Sequence, residues 1–215
     1  MKKLIAIILT LFPLLLLAQE QDRHVNVHFY PHIITPQDTL QVDPDGKKLD
    51  ISEDTLLIWV DFFPDMFFAH KTTFILVSKK RIRIRRGNWW PVLNGKMILH
   101  NEHSKYALVS PFEIPGDGSI EDKITIHIYP HELTSEDQLT DGPYEELFTI
   151  YDNCLLIWVD LLPGAFFTHP TAYILISKDN IRVEDGHWWP ELNGKMILYG
   201  QQNKIGILSP FKVSY

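Results

Sequence analysis

The chain has 215 residues, of which 45% are hydrophobic, 12% aromatic and 22% charged, with a formal net charge of −7. That composition excludes a disordered or fibrous chain, and the acidic balance argues against a nucleic-acid binder. A single cysteine, Cys154, excludes an internal disulfide framework.

In chain order, residues 1–18 come first: a Lys2-Lys3 start, an apolar run over residues 4–17 and the small Ala18. This pattern predicts a secretory signal peptide, too short to serve as a membrane anchor, and therefore a secreted or periplasmic product of bacterial type. No later run is long enough to predict a transmembrane segment. The rest divides into two units, 19–115 and 116–215, because a shift of 99 positions makes 41 of the 88 pairs from Val27 to Ile114 identical without a gap. Repeats of this length, present twice, predict tandem domains rather than a solenoid.

Within the first unit, residues 27–30 and 106–109 read as outer strands, and residues 56–60 as a central strand buried on both faces. Residues 74–77 and 82–84 flank a turn at Ser78-Lys79-Lys80-Arg81 and predict a hairpin. Thr35 to Asp38 has capping-box spacing but little periodicity after it, which predicts a turn or two of helix at most. The block Gly87-Asn88-Trp89-Trp90-Pro91 runs into Asn94-Gly95, the strongest short signal for a two-residue hairpin turn. The turn-rich stretch over residues 114–119 reads as a linker, and each element recurs 99 positions later. The fold class that results is all-β: two tandem, internally duplicated units, each a small sandwich or barrel.

Several positions bear on function. Adjacent tryptophans on an extended chain point in opposite directions. Register across the Asn-Gly turn puts Trp89, Leu93 and Lys96 on one side and Trp90, Met97 and Leu99 on the other. Trp89 and Lys96, with Trp188 and Lys195, are therefore expected on an accessible, ligand-binding surface. Each unit also has a His-x-Tyr-x-His segment (His28, Tyr30, His32; His127, Tyr129, His131), an aspartate ending the central strand (Asp61; Asp160) and a histidine nine residues on (His70; His169). Asp61, His70, Asp160 and His169 join the ligand-binding set. Their alternative role is in a metal-dependent enzyme, since histidine and carboxylate suit zinc, copper or iron. Ser110 and Ser209 complete nominal Asp-His-Ser trios without a nucleophile elbow.

Charge separates the units. Without Lys2 and Lys3 the net charge is −9; residues 19–115 carry 12 charges of each sign, and residues 116–215 carry 6 basic and 15 acidic. A basic ribbon, Lys79 to Arg86, has no equivalent in the second unit and reads as a solvated strand face. The sequence thus predicts an exported, non-catalytic binding or scaffolding module without a cofactor. Its expected partners are a glycan or other envelope component, or a protein, and not nucleic acid.

Overall fold

The computed structural model describes residues 24–99, 106–110, 112–114, 124–142, 147–198, 205–209 and 211–214. The predicted leader at residues 1–18 and the predicted linker beyond Ile114 lie outside them, as do the side chains of Ser110 and Ser209.

The first repeat contributes β1 (His24–Phe29), β2 (Leu40–Gln41), β3 (Lys48–Leu49), β4 (Thr55–Asp61), β5 (Thr72–Ser78), β6 (Ile82–Gly87), β7 (Val92–Leu93), β8 (Lys96–Met97), β9 (Tyr106–Ser110) and β10 (Phe112–Ile114). The second contributes β11 (Ile124–Leu133), β12 (Leu139–Thr140), β13 (Leu147–Phe148), β14 (Cys154–Asp160), β15 (Thr171–Ser177), β16 (Ile181–Gly186), β17 (Glu191–Leu192), β18 (Lys195–Met196), β19 (Ile205–Ser209) and β20 (Phe211–Ser214). The chain is all-β, and the elements recur at the offset of 99, as a gapless repeat requires.

Each repeat builds a five-stranded sheet, β20-β1-β4-β5-β6 or β10-β11-β14-β15-β16, and a small four-stranded sheet, β3-β2-β7-β8 or β13-β12-β17-β18. The apolar runs of β4 and β14 follow from their place between two cores. Leu56, Ile58 and Val60 meet Leu155, Ile157 and Val159 in a central core fed equally by both repeats. Leu57 and Trp59 point the other way, into an outer core beneath the first small sheet, and Leu156 and Trp158 do the same in the second. The order through the molecule is small sheet, large sheet, large sheet, small sheet.

The repeats exchange their last strands. β10 pairs with β11 of the second repeat, and β20 returns to pair with β1 of the first. β9 pairs with β19 so that Leu108 faces Ile207, its own counterpart, which marks a local twofold axis. The sequence places residues 27–30 at an outer edge; the exchanged β20 instead covers β1, because the strand next to it comes from the far end of the chain. Both first strands carry two extra residues against their partner, between Phe29↔Ile58 and Ile34↔Thr55 and between Ile128↔Ile157 and Glu132↔Leu155. This is the bend at Pro31 and Pro130, and it turns His32 and His131 outward while His28 and His127 stay on the sheet.

Turn chemistry is likewise duplicated. Asn94 and Gly95 have φ of 51° and 79°, Asn193 and Gly194 have 52° and 73°, and both turns adopt the backbone that Asn-Gly permits at least strain. Each asparagine also accepts a backbone N–H at 2.9 Å, from Thr39 or Gln138, tying the hairpin to the capped turn before it. Cys154 is buried in β14, where burial pushes its thiol up to about 12. β6 with its basic ribbon is an edge strand, and Arg83 donates to the Asp50 carbonyl at 2.8 Å.

Candidate functional site

Asp61 ends β4, and the chain leaves the sheet over residues 62–69 before His70 brings it back to β5. Asp61 and His70 are both buried, with Oδ1 and Nε2 2.8 Å apart. The other ring nitrogen of His70, Nδ1, lies 2.6 Å from the carbonyl of Phe68 within the loop. Phe63 donates its backbone N–H to the same Asp61 oxygen at 2.9 Å. Asp160 and His169 repeat the arrangement, with contacts of 3.0 Å between them, 2.8 Å to the Phe167 carbonyl and 3.0 Å from the Leu162 amide. The pair is a latch that closes the loop from inside.

A carbonyl and a carboxylate both accept hydrogen bonds. The ring of each histidine thus bridges two acceptors, one in the loop and one at the end of the strand. Burial raises the carboxyls of Asp61 and Asp160, against which the Phe63 and Leu162 amides and the facing histidines pull down. Neither nitrogen of His70 or His169 is left to bind a metal or to serve a serine. Among the described residues no group of three or more His, Cys, Asp or Glu is arranged around a metal position.

The tryptophan blocks support this latch. His70 donates its backbone N–H to the Asn88 carbonyl, His169 to that of His187, and the rings of Trp90 and Trp189 stand edge-on to those histidines at 5.4 and 5.3 Å. Trp90 is core. Trp89 and Trp188 are half-buried, each edge-on to its neighbour at 4.9 or 5.0 Å. Lys96 and Lys195 are exposed on the small-sheet hairpins, in a different element from the latched loops. Met97 is exposed as well, although register places it beside Trp90, because the β7–β8 ladder is only two residues long and the chain turns away at Leu99, whose φ is 59°.

What the latch presents is a pair of phenylalanines. Phe67 and Phe166 are 88% and 89% exposed, Phe68 and Phe167 64% and 63%, although their backbone is held by buried groups. The sequence does contain a signal for them: an identical Phe-Phe at the repeat offset, between a strand-ending aspartate and a histidine. Periodicity passes over it, because the loop has none.

Asymmetry appears elsewhere. Where the first repeat has Val42 and Phe74, the second has Asp141 and Tyr173, whose oxygens lie 2.9 Å apart. Asp141 also accepts the His187 and Trp188 amides, both at 2.8 Å, so one of the extra acids in the second repeat is buried and bonded. The adjoining Gly142 has φ of 52°, and a Cβ there would lie 2.0 Å from the Trp188 ring.

His28 and His127 lie against the rings of Trp59 and Trp158 at 4.8 and 4.9 Å. Burial lowers both imidazoles from 6.5 to about 4. The unfolded chain therefore binds protons near pH 6.5 that the folded chain refuses until about pH 4. Their contribution to stability is full above pH 6.5 and is lost as pH falls through that window, up to about 3 kcal/mol for each histidine. Asp61 and Asp160, with raised values, act in the opposite sense, stabilising at low pH and less so as pH rises. The double variant His28→Phe/His127→Phe is expected to flatten the fall in stability between pH 6.5 and 4, measured by urea denaturation. An unchanged pH profile would remove these histidines as its cause.

No helix among the described residues is long and apolar enough to cross a membrane. The chain matches no protein-family model, no curated protein and no solved structure.

Proposed function

We propose that the chain is an exported, non-catalytic bridging module of the cell envelope that docks on protein partners through its two Phe-Phe loops. One observation carries this reading: each repeat spends a buried Asp-His latch on holding two large apolar rings in solvent. Apolar side chains fixed in water give up burial worth roughly 1.5–3 kcal/mol apiece, a cost recovered only when a partner covers them.

The second loop, Leu162-Pro163-Gly164-Ala165-Phe166-Phe167-Thr168, has no charged side chain and one hydroxyl. An apolar protein pocket suits it better than a glycan, which needs polar side chains beside the stacking ring, or an anionic lipid surface, which needs basic ones. Position suggests bridging. Lys71, at the base of the first loop, donates to the Asp179 carbonyl in the β15–β16 turn at 3.3 Å. The seven residues of β15 separate that turn from the second loop, so the loops stand roughly 20 Å or more apart. Two partner molecules per chain follow, one for each loop.

A photo-crosslinking phenylalanine analogue placed at Phe67, and separately at Phe166, tests this in envelope fractions. The expected result is one protein captured from both positions. Wild-type chain competes for it, whereas Phe67→Ser/Phe68→Ser/Phe166→Ser/Phe167→Ser competes at least about a hundredfold less well. Because the rings are exposed, that variant should retain wild-type stability to within about 1 kcal/mol. Capture of lipid or glycan, of different proteins at the two positions, or of nothing would sink the proposal.

A further inference from the structure

The structure assigns a second, unrelated binding site to the cavity between the first loop and the second repeat. It fits one small molecule with an aromatic or aliphatic body and an anionic group. The cavity has a volume of about 450 Å³ and is lined by His24 and by Phe62 to Met66 of the first repeat and by Lys178 and Asp179 of the second. A volume in the range of small-molecule sites, with a largely apolar wall and few polar groups, is what such a ligand requires.

Lys71 supplies the charge. Its ammonium lies 4.3 Å from the centre of the buried Phe62 ring and donates to the Asp179 carbonyl, so it is positioned from both repeats at the cavity wall. An ammonium has three donors, and its one hydrogen bond and its ring contact leave at least one for a carboxylate, sulfonate or phosphate. The carboxylates of Asp65 and Asp179 beside the ammoniums of Lys71 and Lys178 keep the site from being a general anion trap, which places selectivity in the apolar body.

Comparison of the repeats separates this site from the loops above it. The latch and the Phe-Phe pair are the same in both, but seven of the nine cavity positions differ from their counterparts. Pro170 stands for Lys71, Ala165 for Met66, Gly164 for Asp65 and Lys80 for Asp179. With proline in place of the lysine, the second loop has no ammonium at its base; Lys79 and Lys80 stand in the counterpart turn, opposite a wall in which Leu161, Leu162 and Ala165 replace Phe62, Phe63 and Met66. One ligand per chain follows, against two docking partners.

Two probes with similar aromatic bodies test the inference on the mature chain: 8-anilinonaphthalene-1-sulfonate, which is anionic, and N-phenyl-1-naphthylamine, which is neutral. One anionic probe per chain is expected. Lys71→Met should weaken it at least about tenfold and leave the neutral probe unchanged. Met66→Trp, which fills the cavity, should abolish both, while Ala165→Trp at the other end affects neither. Thermal unfolding confirms that each variant is folded; should Met66→Trp fail to fold, Met66→Phe replaces it. Two or more anionic probes per chain, insensitivity to both cavity substitutions, or loss of binding only in Phe67→Ser/Phe68→Ser would overturn the assignment. The crosslinking at Phe67 and Phe166 is indifferent to all of these outcomes.

Discussion

Each repeat produced alone, as residues 19–115 or 116–215, is expected to fold only as a dimer. Ten of the twenty side chains of the central core come from each repeat, and they face each other across the two large sheets. Exposing one such face forfeits roughly 1.5–3 kcal/mol per side chain, more in sum than a domain's whole stability of about 5–15 kcal/mol. The isolated repeat also loses the strand that its first strand pairs with, since β1 takes β20 and β11 takes β10. A second copy restores both, because the repeats are related by a local twofold axis and a twofold interface is self-complementary. Light scattering on the purified second repeat should give twice the chain mass, with a urea midpoint that rises with protein concentration. A folded monomer would mean that the central core contributes little.

The sequence revealed the fold through local rules that hold irrespective of context. The apolar runs at residues 56–60 and 155–159, the Asn-Gly turns and the hairpins appear where pattern and turn chemistry put them. The strand exchange was not legible, because it depends on which of two nearly equivalent partners a terminal strand reaches, and local preference is the same for both. Asp61 and His70 were legible as a pair of interest, and so were Asp160 and His169. Their role as a latch was not, since it rests on the Phe68 and Phe167 carbonyls, and any residue supplies a carbonyl. The exposure of the Phe-Phe pairs was not legible for the opposite reason. Aromatic residues are expected inside, and only three-dimensional structure reveals that a loop holds them out.

The tryptophans of the central strands carry the other large expected effect, and it depends on what replaces them. Trp59 is fully buried in the first outer core and Trp158 in the second. Truncating either to alanine leaves a cavity between a large sheet and a small one, and close-packed neighbours collapse only in part. The expected cost is about 3–5 kcal/mol, a large fraction of total stability. Trp59→Phe and Trp158→Phe should behave differently. The indole N–H of each is buried without a hydrogen-bond partner among the described residues. Phenylalanine removes that unpaired donor, and the relief of about 1–3 kcal/mol offsets part of the lost contact. Each phenylalanine variant is therefore expected within about 1.5 kcal/mol of wild type, and each alanine variant at least 2 kcal/mol below it, measured by urea denaturation at pH 7.5, where His28 and His127 do not titrate. Trp59→Ala within 1 kcal/mol of wild type would contradict its place in the core, and a phenylalanine cost equal to that of alanine would mean that the N–H is satisfied in solution.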